Sequence, residues 1–170
     1  MGKPLNTALS LSDAAATESL GARLAEVLPA DTSGWLVLLQ GELGSGKSTL
    51  ARALLKALGH EGAVPSPTYT LVEPYDLRSG TAYHVDLYRI SDESELPFLG
   101  WTELREGLVL LEWPERSPAL FELADLHIRL GFPEAPGDIG EADPIGRVAE
   151  LLAVTERGSA LLRKLAGQAR

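Results

Sequence analysis

Residues 35–49 read Trp35-Leu36-Val37-Leu38-Leu39-Gln40-Gly41-Glu42-Leu43-Gly44-Ser45-Gly46-Lys47-Ser48-Thr49. The run from Trp35 to Leu39 is apolar without a break and is bounded by glycine, the pattern of a short strand covered on both faces inside a parallel sheet. From Lys47 to Leu58 leucine and alanine recur at helical spacing, and Gly59 follows as a natural left-handed stop. Between strand and helix, Gly41-x-x-x-x-Gly46-Lys47-Ser48 fits the phosphate-loop pattern, in the strand–turn–helix setting that pattern requires. Its glycines let successive backbone N–H groups curl inward and approach phosphate oxygens, and the helix aims its positive end at the same anion. Lys47 is placed to reach the β- and γ-phosphates, Ser48 to offer its hydroxyl to magnesium, and Thr49 to add a hydroxyl near the α-phosphate. Gly41, Glu42, Leu43, Gly44, Ser45 and Gly46 supply the loop backbone. The spacing G-x-x-G-x-G is not the dinucleotide fingerprint, which excludes a nicotinamide site here.

Working outward, Ser12 or Asp13 can cap a helix to about Leu28 with Leu20, Leu24, Val27 and Leu28 as its apolar stripe. Thr68–Val72 and Thr81–Val85 are β-branched and aromatic, and Arg78-Ser79-Gly80 between them predicts a hairpin. Residues 92–106 read as short acidic helical pieces broken by Pro97 and Gly100. Leu108–Glu112 is a second buried strand, closed by Trp113-Pro114. Leu126–Leu130 and Arg147–Val154 are further strands around a loop at 131–146 rich in glycine, proline and acid, and a last helix covers Glu156–Leu165. The alternation predicts a single α/β domain over residues 1–170: three layers, with a mixed, mainly parallel central sheet flanked by helices.

The chain has 170 residues, enough to bury a core without staples. Its 24 acids against 15 bases give a net charge of −9, which disfavours unaided binding to DNA, RNA or an anionic membrane. The absence of cysteine excludes disulfides, thiolate metal sites and Cys nucleophiles. The three histidines are scattered without metal-ligand spacing. The apolar runs are far too short to span a bilayer and no leader is visible, so a cytoplasmic location is expected.

A phosphate loop needs an acidic partner at the end of a neighbouring strand. Asp86 ends one strand and Glu112 another, and the residues alone leave open which holds metal and which positions water. His84 reads as a packed or hydrogen-bonded histidine, and Trp113 as a core or edge aromatic.

The ordered blocks Gly41–Thr49, Ser66-Pro-Thr-Tyr-Thr-Leu-Val-Glu73, His84-Val-Asp-Leu-Tyr-Arg89 and Glu112-Trp-Pro-Glu115 resemble the TsaE (YjeE) ATPases of bacterial tRNA threonylcarbamoyladenosine synthesis. The resemblance implies ATP and Mg2+ as ligands, with Lys47 on phosphate, Ser48 and Glu112 on the metal, Asp86 needed for hydrolysis and Trp113 beside the nucleotide. It implies a γ-phosphate-responsive segment around Thr68 and adenine near residues 13–17. The implied partner is a TsaD–TsaB complex, with tRNA contacted through that complex. Glu42 and Ser45 depart from the family's more usual Asp and Ala. Two rivals stand beside this reading. A small-molecule kinase usually carries an arginine-rich lid, whereas 131–146 has no lysine or arginine; a nucleotide-gated assembly module would bind ATP without needing turnover.

Overall fold

The computed structural model describes residues 5–133 and 146–168. Seven strands form one sheet: β1 (Asn6–Leu11), β2 (Leu36–Gln40), β3 (Val72–Leu77), β4 (Gly80–Asp86), β5 (Leu108–Glu112), β6 (Leu126–Gly131) and β7 (Arg147–Ala153), in the order β1-β7-β6-β2-β5-β4-β3. The four central strands β6, β2, β5 and β4 run parallel. β1 and β7 on one side and β3 on the other add antiparallel pairs. The mixed sheet expected from the sequence is therefore present, with its parallel part at the centre.

The two apolar runs explain that centre. In β2, Val37 and Leu39 enter one core while Leu36 and Leu38 enter the other. In β5, Leu108 and Leu110 face the first core and Val109 and Leu111 the second. With period-two alternation, an unbroken apolar run is the sequence of a strand covered on both sides. The first face is covered by α1 (Ala14–Val27), α2 (Lys47–Ala57) and α5 (Glu156–Gly167). The second is covered by short pieces: a 3-10 turn at Glu93–Leu99, α3 (Trp101–Leu104) and α4 (Leu120–Leu123).

Asp13 caps α1, its side chain accepting from Ala16 N–H, and the left-handed Gly59 (φ 103°) follows the end of α2, as expected. Helices α1 and α2 approach closely at Gly21, where a Cβ would lie 2.8 Å from both the Cβ of Ala53 and the carbonyl oxygen of Leu50. This packing fixes where α2 begins, and so where the phosphate loop sits.

One expectation needs correction, and two elements have no counterpart in the sequence reading. Thr68–Leu71 is a turn, closed by Leu71 N–H donating to the Pro67 carbonyl, and the hairpin strand starts at Val72 and runs to Leu77. Pro74 in that stretch argues against a central strand, but β3 is an edge strand, where a missing N–H is tolerated. The N-terminal strand β1 was not anticipated, although Leu5, Thr7, Leu9 and Leu11 alternate at period two. Helix α4 is too short to leave a periodic signal. Of the loop expected at 131–146, residues 134–145 lie outside the described residues. Among the described residues, no helix is long and apolar enough to cross a membrane.

Candidate functional site

The carboxyl ends of β2, β4 and β5 converge on the glycine-rich turn, the usual place for ligands in an open parallel sheet. The turn needs its glycines. Gly41 (φ 155°), Gly44 (φ 78°) and Gly46 (φ 104°) adopt positive φ, and a Cβ on Gly41 would collide with Ser45 Oγ and the Leu130 carbonyl. Gly46 is the left-handed residue that opens α2, so the helix's first N–H groups face the turn. Ser45 Oγ is buried and has no partner among the described residues.

Lys47 is the first residue of α2 and is almost wholly buried. Its Nζ donates to the carbonyls of Gly41 (2.7 Å) and Glu42 (2.9 Å), bracing the turn, and lies 4.5 Å from the centre of the Trp113 ring. Burial lowers the lysine's pKa; the nearby carboxylates of Glu112, Asp86 and Glu115 oppose the shift without cancelling it.

Ser48 Oγ donates to Glu112 Oε1 at 2.8 Å, and the same oxygen accepts from His84 Nε2 at 2.8 Å. Asp86 is the register partner of Glu112 across β4 and β5. Its Oδ1 accepts from Tyr88 N–H at 2.8 Å and its Oδ2 from Thr68 Oγ1 at 3.2 Å. Burial raises the Asp86 pKa above the ordinary carboxylate value; the Tyr88 hydrogen bond pulls it down, and the neighbouring Glu112 charge pushes it further up.

Lys47, Ser48, Thr49, Asp86, Glu112 and Trp113 thus line one cavity of about 290 Å³, with Leu43, Gly44 and Gly46 on its loop side. Thr68 and Tyr88 close its far wall. Gly41 and Glu42 lie behind the loop, lining a second cavity of about 410 Å³ on the other side of Trp113. Ser45 faces a third of about 570 Å³, shared with Asp13, Ala14, Thr17, Phe132 and Arg147. That third cavity borders the segment where the resemblance puts adenine. Sequence reasoning missed Phe132 and Arg147, which precede and follow residues 134–145 in the chain and form a cation–aromatic stack at 4.1 Å. It also missed that His84 reaches Glu112, a contact made possible by the β4–β5 pairing and therefore invisible locally.

These residues fit a phosphate chain with a small hard cation. Ser48 and Glu112 offer a hydroxyl and a carboxylate in mutual contact, and magnesium is commonly held by one or two such oxygens together with substrate phosphates. Among the described residues no cluster of three or more His, Asp or Glu could cage a metal by itself.

Fold and loop together define a P-loop α/β protein. The model of the family described as "Threonylcarbamoyl adenosine biosynthesis protein TsaE" matches residues 11–135, well over half the chain, and the chain belongs to the TsaE family. It is similar to the tRNA threonylcarbamoyladenosine biosynthesis protein TsaE of Haemophilus influenzae, 41% identical over 99 residues that cover 57% of this chain and 63% of that one. The Streptomyces coelicolor protein of the same name is 41% identical over 127 residues, 72% of this chain and 82% of that one. The chain thus matches a little under two thirds of the Haemophilus protein's length. In structure it resembles Bacillus subtilis YdiB, with a TM-score of 0.72 at 22% identity and full coverage of both chains, a likeness of fold.

Proposed function

We propose that this protein is a magnesium-dependent ATPase that serves threonylcarbamoylation of the adenosine beside the anticodon of tRNA. It acts in the cytoplasm as the helper of a TsaD–TsaB-type complex and does not transfer the threonylcarbamoyl group itself. The observation that carries the reading is the contact between Ser48 and Glu112 at the mouth of the phosphate loop, with Asp86 beside it. A loop built only to hold an anion has no need of two adjoining buried carboxylates, which repel phosphate unless a cation or a polarised water stands between.

The loop amides and Lys47 would hold the β- and γ-phosphates and stabilise charge spreading over the transferring group. Magnesium, when bound at Ser48 and Glu112, would supply Lewis-acid charge neutralisation. Asp86, held by Tyr88 N–H and Thr68, would orient the attacking water and receive its proton. Its raised pKa suits a carboxylate that accepts a proton and releases it again. The hydroxyl of Thr68 ties the turn at 67–71 to this acid, so a γ-phosphate reaching Asp86 would also shift that turn.

Steady-state phosphate release by the purified chain, alone and with TsaD–TsaB and tRNA, tests the reading. Magnesium-dependent release stimulated by the partners and needing no small-molecule acceptor is expected. Strict dependence on such an acceptor would make the protein a kinase. Repeated rounds of tRNA modification on a nonhydrolysable ATP analogue would make it a nucleotide-gated module.

A further inference from the structure

We infer that His84 is a positioning residue that fixes which oxygen of Glu112 faces the ligand. The inference rests on the reading of Glu112 as the magnesium-linked acid. His84 lies on β4 two residues before Asp86, so both side chains leave the same face of the strand. The parallel register pairs His84 with Leu110 and Asp86 with Glu112, which makes His84 and Glu112 diagonal neighbours within reach of long side chains. The imidazole is fully buried, and its Nε2 meets Glu112 Oε1 at 2.8 Å.

Two donors converge on that one oxygen: Nε2 of His84 and Oγ of Ser48. A carboxylate oxygen has two lone pairs, so Oε1 is saturated by protein and Oε2 is the oxygen left to face a cation. Because a carboxylate only accepts, this geometry requires the proton on Nε2. The ring's other nitrogen, Nδ1, is buried and finds no partner among the described residues. Among the described residues, Glu112 is therefore the only hydrogen-bond partner of the imidazole. Partners of this kind, one bond behind a ligand, commonly tune metal affinity or activity about 10–100-fold.

Two substitutions separate holding from filling. His84→Gln puts an amide N–H donor close to the place of Nε2; His84→Leu fills the space and donates nothing. Binding of a nonhydrolysable ATP analogue is measured across magnesium concentrations and in excess chelator, beside thermal melting. The expected result for His84→Leu is a magnesium requirement raised about 10–100-fold, with chelator-condition affinity within about twofold of the parent and a cooperative melt. His84→Gln recovers most of the loss. Equal magnesium requirements in the parent, Leu and Gln proteins would overturn the inference, leaving His84 a packing residue. A nitrogen-15 imidazole spectrum of the unliganded parent protein gives a readout independent of nucleotide. A slowly exchanging proton on His84 Nε2 is expected, and an Nε2 that carries no proton would overturn the hydrogen bond itself. A parent protein with that proton but no magnesium-dependent nucleotide binding would instead defeat the ATPase reading and, with it, the role given to His84.

Discussion

Asp86 and Glu112 end adjacent parallel strands as direct register partners, and each is pinned by its own donors. Glu112 is held by Ser48 and His84, Asp86 by Tyr88 N–H and Thr68. Two acids in one register position but in different hydrogen-bond settings are suited to different tasks. Burial raises the pKa of Asp86, so its charge opposes folding. The sign follows: that opposition is absent below the unfolded value of about 3.9 and grows as pH rises through the higher folded value. Asp86→Asn keeps both hydrogen bonds feasible and removes the buried charge. It should stabilise the protein at pH 7 by about 0.5–1 kcal/mol, or about 2 °C in melting temperature, while lowering ATP hydrolysis about 10²-fold. Melting and phosphate release on one preparation check both; a destabilised or fully active variant would show that Asp86 is misassigned.

Lys47 braces the turn through two carbonyls and sits against Trp113. Lys47→Ala should reduce hydrolysis by about 10²–10³-fold and weaken triphosphate binding more than diphosphate binding. Lys47→Arg should not rescue it, because a planar guanidinium cannot take the place of a compact ammonium between two converging carbonyls and a ring. Comparative titrations with ATP and ADP analogues decide the point.

Gly21 sets two opposing effects against each other. Alanine is favoured over glycine in a helix by about 0.8–1.0 kcal/mol, but its Cβ would press on the Ala53 Cβ and Leu50 carbonyl at 2.8 Å, neither of which is a flexible side-chain end. Overpacking costs about 1–3 kcal/mol. Gly21→Ala is therefore expected to be net destabilising by about 1 kcal/mol and to raise the KM for ATP, since α2 would have to shift away from α1. Denaturant unfolding and steady-state kinetics measure both; a stabilised variant with unchanged KM would contradict the packing described.

Asp125 makes a clasp at the other end of β2, far from chemistry. Its carboxylate accepts from Leu36 N–H, Thr155 Oγ1 and the Nε and Nη2 of Arg157, whose guanidinium also covers the Trp35 ring. Burial alone would raise its pKa, but the hydrogen bonds from Arg157, Leu36 and Thr155 and the guanidinium charge hold it below the ordinary value. A lowered folded value means the stabilisation is complete above about pH 4 and is lost as pH falls through that lower value. Asp125→Ala should cost about 3 kcal/mol and leave kcat unchanged at temperatures where the variant is folded. Asp125→Asn should flatten the acid limb of the stability profile. An unaltered acid limb would remove the clasp from the account.

What was legible in the sequence follows from how local each signal is. The phosphate loop, α2 and the two buried strands are written in contiguous residues, so Trp35–Leu58 and Leu108–Glu112 could be placed with small shifts at the ends. Asp86 and Glu112 were recognisable as strand-terminal acids because Glu112 follows the apolar run 108–111 and Asp86 the β-branched and aromatic stretch 81–85. The turn at Thr68–Leu71 misled, since its β-branched threonines read as strand; in the structure the Thr68 hydroxyl bonds to Asp86 instead. Leu71 adopts φ 67°, a left-handed conformation that no residue pattern announces for leucine. β1 escaped notice because an edge strand of mixed polar and apolar residues gains its pairing from β7, more than a hundred residues away. The contacts between His84 and Glu112 and between Ser48 and Glu112 depend on strand order, which residue spacing does not encode.

Whether this protein hydrolyses ATP through Glu112 is decided by phosphate release from ATP with magnesium, with TsaD–TsaB and tRNA present, by the parent protein and by Glu112→Ala at matched nucleotide occupancy. Partner-stimulated release by the parent is expected, with a loss of about 10²-fold or more in Glu112→Ala and nucleotide binding in chelator retained. Equal rates in the two proteins, or no release by a parent protein that binds ATP tightly and supports tRNA modification, would contradict hydrolysis through Glu112.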